Sequence, residues 1–157
     1  EQKALELAKG NVLDVGCGAG SHSLYLQNKK KLTVTAIDIS EGAIQTCTLR
    51  GIKEALCIDV MDYKGKFDTI LLLMNGAGMC GQLKNIASFL QHLKTLLTPN
   101  GQILVDSSDI IYMFDEDEDG GKWIPDDVDY YGELEFHVSY LGEKEAPFHW
   151  FLAVLKG

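Results

Sequence analysis

Apolar residues fall along this chain in short runs suited to buried strands, and each run is followed by a stretch that suits a helix. Residues 11–15 (NVLDV) read as a short central strand, and SHSLYLQN from Ser21 as a helix start with Leu24 able to face a sheet. LTVTAIDI, 32–39, carries Val34, Ala36, Ile37 and Ile39, which suit burial on both faces. Ser40 is placed to cap the next helix with Glu41 in its first turn, and Gly51 suits a left-handed helix end. ALCIDV, 55–60, and FDTILLLM, 67–74, predict the third and fourth strands. Leu83, Ile86, Leu90, Leu93 and Leu97 recur at intervals of three and four, predicting a helix that stops at Pro99-Asn100-Gly101. GQILVDS, 101–107, predicts a fifth strand.

Five strands alternating with helices predict a single domain over residues 1–157. Its class is α/β: a doubly wound, mostly parallel, Rossmann-like sheet with right-handed crossovers. The pattern then changes. Residues 106–135 hold twelve of the 23 acids and one base, Lys122. The unbroken acidic run 115–119 is too repulsive for a core; it is either a solvated loop or an attractor for a basic substrate. ELEFHVSY, 133–140, and FHWFLAVL, 148–155, alternate like strands on either side of GEKEAP. They predict a C-terminal antiparallel hairpin at or near a sheet edge, through which copies of the chain could pair. No helix is predicted between the fifth strand and this hairpin.

A 46% hydrophobic, 24% charged composition is that of an ordinary globular core, and no apolar run approaches the length of a membrane span. Outside the acidic segment the chain holds 11 acids and 13 bases, so it offers no basic face for nucleic acid or anionic lipid. Cys17, Cys47, Cys57 and Cys80 form no CxxC pair, which fits a reduced, cytoplasmic setting without a structural metal. The chain opens at Glu1 rather than Met, so upstream sequence is expected to be missing.

The chemistry concentrates in VLDVGCGAG, 12–20. Gly16, Gly18 and Gly20, with Cys17 and Ala19 between them, bend the chain directly after a strand and before a helix whose free N–H groups can hold a negative group. Such a bend alone is a weak signal. GCGAGS places Ser21 where the dinucleotide fingerprint wants a glycine. Asp14 is expected to point its carboxylate into the same crevice, where it would repel a diphosphate and attract an amine or sulfonium. Asp38 follows Gly18 by twenty residues, the spacing at which an acid meets ribose hydroxyls. Ile39 and Val60 could sandwich an adenine whose amino group Asp59 accepts; alternatively Asp59 and Asp62 cap a turn before Tyr63.

Taken together, LDVGCGAG, ID with Ser40, CIDVMDY, FDTILLLMNGAG and LLTPNGQILV resemble the motifs of the class I S-adenosylmethionine-dependent methyltransferases, over roughly residues 10–108. DYYGELEF and PFHW resemble a less characterised bacterial subgroup of unassigned substrate. The resemblance implies S-adenosylmethionine as cofactor and methyl transfer to a small molecule, with no metal and no obligatory covalent residue. It implies cofactor contacts from Asp14, Gly16, Cys17, Gly18, Ala19, Gly20, His22, Asp38, Ile39, Ser40, Asp59, Val60 and Asn75. Asn75 would lie nearest the transferring methyl, with Gly76, Gly78 and Gly81 leaving room for substrate or closing against the sheet. His22 would approach the methionine carboxylate or lie at the surface. MNGAG stands in place of the NPPY or DPPY of amine methyltransferases, which points away from amino groups on DNA or protein.

Two departures stand out. Almost nothing precedes Lys9, where family members carry a helical segment, and five strands plus a hairpin stand for the usual seven. A truncated chain with an open substrate side is therefore expected. His92 is expected to be structural, while His137, His149, Trp150, Tyr130 and Tyr131 either roof an acceptor pocket or pack ordinarily. An NAD-dependent oxidoreductase and a non-catalytic binding or assembly module on the same fold are the competing functions.

Overall fold

Side-chain alternation in β1 (Asn11–Val15) divides the core into two layers, as a period of two requires. Val12 packs with Leu26 and Val34 on one face, and Leu13 and Val15 pack with Phe89 and Leu93 on the other. The computed structural model describes residues 1–124, 126 and 129–152. With β1, four more strands complete one parallel sheet: β2 (Thr33–Asp38), β3 (Ala55–Cys57), β4 (Phe67–Leu72) and β5 (Leu97–Val105). Their order is β3-β2-β1-β4-β5, so the winding reverses between β1 and β4 and opens a crevice at the carboxyl ends there.

The helices α1 (Gln2–Leu7), α2 (Ser21–Asn28), α3 (Glu41–Leu49) and α4 (Ile86–Thr95) cover the sheet. Ser40 caps α3 as expected, its Oγ accepting from the Ala43 N–H at 3.3 Å. Gly51, at φ +88°, ends that helix: its N–H donates to Thr48 O and that of Ile52 to Cys47 O, both at 3.0 Å. The stretch ahead of β1, expected to add almost nothing, forms α1. Its terminal carbonyls are satisfied by Lys30 Nζ, which donates to Leu5, Glu6 and Ala8 at 2.6–3.0 Å.

Three expectations need correction. The fourth helix runs from Ile86 to Thr95, with Leu83 in a preceding 3₁₀ turn and Leu97 already in β5. Its buried stripe is set by Phe89 and Leu93, while Leu90 is 44% exposed; periodicity alone does not distinguish these neighbouring phases. Second, Pro99-Asn100-Gly101 interrupts β5 instead of ending a helix. Phe67 pairs with Leu97 and Thr69 with Gln102, so residues 98–101 bulge out of the ladder where proline needs no donor.

Third, the C-terminal hairpin is not an edge of the main sheet. β6 (Glu133–Phe136) pairs antiparallel with β9 (Phe148–Phe151) in a sheet of its own. Within that loop β7 (Ser139–Tyr140) pairs with β8 (Glu143–Lys144) across Leu141 and Gly142, both at positive φ as a tight hairpin turn requires. The predicted strand residues 153–155 lie outside the described residues. Between β5 and β6 the described residues form one 3₁₀ turn, Ile111–Met113, and no longer helix. Among the described residues no helix is long and apolar enough to cross a membrane.

Thr69, fully buried in β4, joins the start of the fold to its centre. Its Oγ1 donates to Lys9 O at 2.8 Å and accepts from the Lys9 N–H at 3.1 Å and Gln102 Nε2 at 3.2 Å. Thr69→Val keeps the shape and strands these groups, so it should cost about 1–3 kcal/mol. Urea denaturation measures this, and an unmoved midpoint would contradict it.

Candidate functional site

The glycine bend at the end of β1 is possible only with its own residues. Gly16, Gly18 and Gly20 have φ of +68°, +52° and +77°. The bend is pinned from behind: the N–H groups of Gly16 and Cys17 both donate to Ile37 O, at 2.9 and 3.0 Å. A Cβ on Gly20 would lie 2.1 Å from Ile52 Cδ1, whereas beyond Gly18 nothing of the protein lies within 4 Å. Arg50 donates to Ala19 O and, at 3.4 Å, to Ser21 Oγ, holding the turn from outside. Cys17 and Cys47 are free thiols with sulfurs 3.8 Å apart; burial pushes both up, so they act as protonated packing groups.

Asp38 ends β2 and binds the bend directly. Its Oδ2 accepts from the Gly18 N–H and its Oδ1 from the Ser40 N–H, each at 2.9 Å. A cavity of about 510 Å³ opens beside it. Val15, Gly16 and Ile37 form its inner wall; Ile39, Ile58, Asp59, Val60 and Met61 line the side towards β3. Asp59 caps a 3₁₀ turn, Val60–Asp62, accepting from the Met61 N–H at 2.8 Å, so the turn-capping alternative describes what one of its oxygens does. His92, structural as expected, donates from Nε2 to Val60 O at 2.7 Å and steadies that wall.

Of the sequence candidates, Gly16, Asp38, Ile39, Asp59 and Val60 line this cavity. Cys17, Gly18, Ala19, Gly20 and Ser40 build the bend and the helix start behind it. His22 is drawn to Glu1, Nε2 to Oε2 3.1 Å. Asp14 is a correction: it does not point into the cavity. It is 2% exposed behind the bend, where Ser23 Oγ donates to its Oδ2 at 2.6 Å. Burial pushes its carboxyl above the usual range, partly offset by the Ser23 bond.

Asn75 lies elsewhere. With Met74 it stands in the left-handed region after β4, φ +60° and +58°, its N–H donating to Asp106 Oδ1 at 2.7 Å. It lines a second cavity, of about 280 Å³, with Met74, Phe136, Phe148, Trp150 and Leu152. Phe148 and Trp150 also line the larger cavity, with His149 between them. β9 therefore borders both spaces, Phe148 and Trp150 lining each and His149 the larger alone. Tyr130 and Tyr131 pack instead, and His137 is exposed. Tyr130 meets Phe151 in a tilted ring contact, centroids 5.3 Å apart; Tyr131 donates to Asp109, its phenol pushed up to about 12 chiefly by burial; His137 pairs with Glu135 at 2.9 Å. Sequence reasoning missed Met79 and Phe89, which also line the larger cavity. Phe89 was within reach of the α4 helical pattern, but Met79 owes its place to the 3₁₀ turn Gly76–Cys80, which carried no signal.

Residues 2–144 match the family described as "Methyltransferase domain". The chain superposes on a solved SAM-dependent methyltransferase from Bacteroides fragilis in complex with S-adenosyl-L-homocysteine, with TM-score 0.87 and 44% identity over 97% of this chain and 62% of that one. It is 30% identical to a ubiquinone biosynthesis O-methyltransferase of Histophilus somni (strain 2336) over 64% of this chain and 46% of that protein. It is 27% identical to a ribosomal RNA small subunit methyltransferase C of Marinomonas sp. (strain MWYL1) over 68% of this chain and 33% of that protein. The chain thus spans less than half the length of these curated relatives.

The buried Asp14 predicts a pH effect. The folded chain holds that proton to higher pH than the unfolded chain, so the contribution is complete below the ordinary carboxylate range and is lost as pH rises through the raised value. Asp14→Asn cannot ionise and still accepts from Ser23. Its urea midpoint should rise relative to the unsubstituted chain as pH rises above the ordinary carboxylate range, about pH 4; a difference that stays constant would contradict the assignment.

Proposed function

The chain belongs to the methyltransferase domain family, and on that premise we propose that it transfers a methyl group from S-adenosylmethionine to a small-molecule acceptor. The observation that carries this is Asp38, an acid at the rim of the larger cavity that also fixes the glycine bend. S-adenosylmethionine supplies, when bound, a methyl group on a sulfonium whose thioether is the leaving group.

The residues present fit that group. Asp38 keeps lone pairs beyond its two backbone bonds, and a carboxylate can accept both hydroxyls of a ribose. The open space at Gly18 lets a ligand approach the backbone. Ile37, Ile39, Ile58 and Val60 offer apolar walls to a flat ring, and the second oxygen of Asp59 is left to accept an amino group. Phe148 and Trp150 close the outer side, keeping water from the reacting region. Asp14 takes part through Ser23 and the bend rather than by direct contact. Cys17, Ala19, Gly20 and Ser40 are proposed to shape the cradle, with His22 at the start of α2 beside it.

The work of the protein is then binding, alignment and exclusion of water, which an in-line displacement at a pre-activated methyl requires. Isothermal calorimetry with S-adenosylhomocysteine tests this. The unsubstituted protein should bind, and Asp38→Ala should weaken binding by about 1.5–3 kcal/mol, the size of a charge-assisted hydrogen bond. Equal affinity in the two proteins would remove Asp38 from the ribose, and absence of heat and of thermal shift at millimolar ligand would remove the proposal.

A further inference from the structure

We infer that His92 is a positioning residue for the cofactor's base: through its hold on the Asp59 turn, the larger cavity selects a purine that carries an amino group over the same purine with a carbonyl oxygen in its place. This rests on the methyl-transfer reading and adds which residue sets the choice of base. The β2–β3 ladder ends with Asp38 beside Cys57, and the Ile58 N–H makes its last bond, to Asp38 O at 3.0 Å. Asp59 therefore stands beyond the sheet, after an edge strand of three residues with a single neighbour. The Val60–Asp62 turn that follows is fixed in shape by its own bonds: Met61 N–H to Asp59 Oδ1 at 2.8 Å, Asp62 N–H to Asp59 O at 3.0 Å and Tyr63 N–H to Val60 O at 3.1 Å. These bonds do not fix where the turn sits. Among the described residues, the hydrogen bond that ties residues 59–62 to a helix is the one from His92 Nε2 to Val60 O, at 2.7 Å.

The helix that carries this imidazole also builds the cavity. Phe89, on the cavity lining, and His92 are three residues apart in α4 and so are neighbours on its surface. Val60 is buried in one cluster with Phe89 and Leu93. Apolar contact of this kind is non-directional. The His92 bond adds direction, because a carbonyl only accepts and Nε2 must therefore carry the hydrogen. The Asp59 oxygen left free by the Met61 bond is then held at a fixed place on the lining. A purine amino group donates to such an oxygen. A carbonyl oxygen in its place sets two acceptors against each other, and the ring N–H beside it serves only a carboxylate that is free to move. The discrimination lasts while Asp59 cannot swing away. His92 therefore acts on the preference between two bases and leaves the ribose, which Asp38 would hold, untouched.

Calorimetry with S-adenosylhomocysteine and with S-inosylhomocysteine, the analogue whose purine amino group is replaced by oxygen, reads this preference. The unsubstituted protein should bind the first at least about tenfold more tightly. His92→Leu should weaken S-adenosylhomocysteine about five- to tenfold and leave S-inosylhomocysteine within about twofold, so that most of the preference disappears. His92→Gln, whose amide reaches as far and donates, should keep it. His92→Asn, one carbon shorter, should lose it, and this variant carries the test if the leucine variant does not fold. A merely structural His92 would weaken both ligands alike. The proposal is overturned by an unsubstituted protein that binds both ligands equally, or by a preference that survives in His92→Leu and His92→Asn. A loss shared equally by the two ligands, or a preference lost in His92→Gln, overturns it too. Each of these outcomes leaves the methyl-transfer reading in place. A protein that binds neither ligand overturns that reading itself.

Discussion

The carboxylate of Asp38 binds two backbone N–H groups from opposite sides of the crevice, Gly18 in the bend and Ser40 at the start of α3. Bonds of this kind are worth about 1.5–3 kcal/mol each, more than the small preference of glycine for any one of its allowed conformations. With the Ile37 carbonyl, they hold the bend of three alternating left-handed glycines against the end of β2. The cavity exists because the bend is held there: its inner wall is Gly16 and its rim is Asp38 itself. An acid at this place thus has a structural duty, and the same side chain lines the larger cavity.

The second organising element is the hairpin β6–β9, which stands apart from the main sheet and covers its carboxyl end. It docks through Trp150 on the backbone at Gly78 and through Phe151, which belongs to the same buried cluster as Leu72 and Phe89. This explains the glycine at 78 in the Gly76–Cys80 turn: a side chain there would displace the indole. The result is a pair of rings between two unequal spaces, the larger with Asp38 and Asp59 on its lining and the smaller with Asn75 as its polar group.

What the sequence revealed was local. The bounds of β1 and α2, the Ser40 cap and the Gly51 helix end follow from residues within a turn of one another, and all stand as expected. Asp38 was legible because strand length fixes its distance from the glycines. Asp14 was misplaced because its direction depends on Ser23, a buried hydroxyl in the first turn of α2 that nothing in the local pattern singles out. Leu90 and Phe89 were confused because the two phases of an apolar stripe differ by one position. The hairpin was foreseen, but not its separation from the main sheet, since its docking joins Gly78 to Trp150, about half the chain apart.

A crystal structure of the protein grown with S-adenosylhomocysteine tests the central claim most directly. The account predicts density in the larger cavity, with the ribose hydroxyls in hydrogen-bonding reach of Asp38 and the chain at Gly18 against the ligand. Density confined to the Asn75 cavity, or a ligand whose ribose stands away from Asp38, would contradict it.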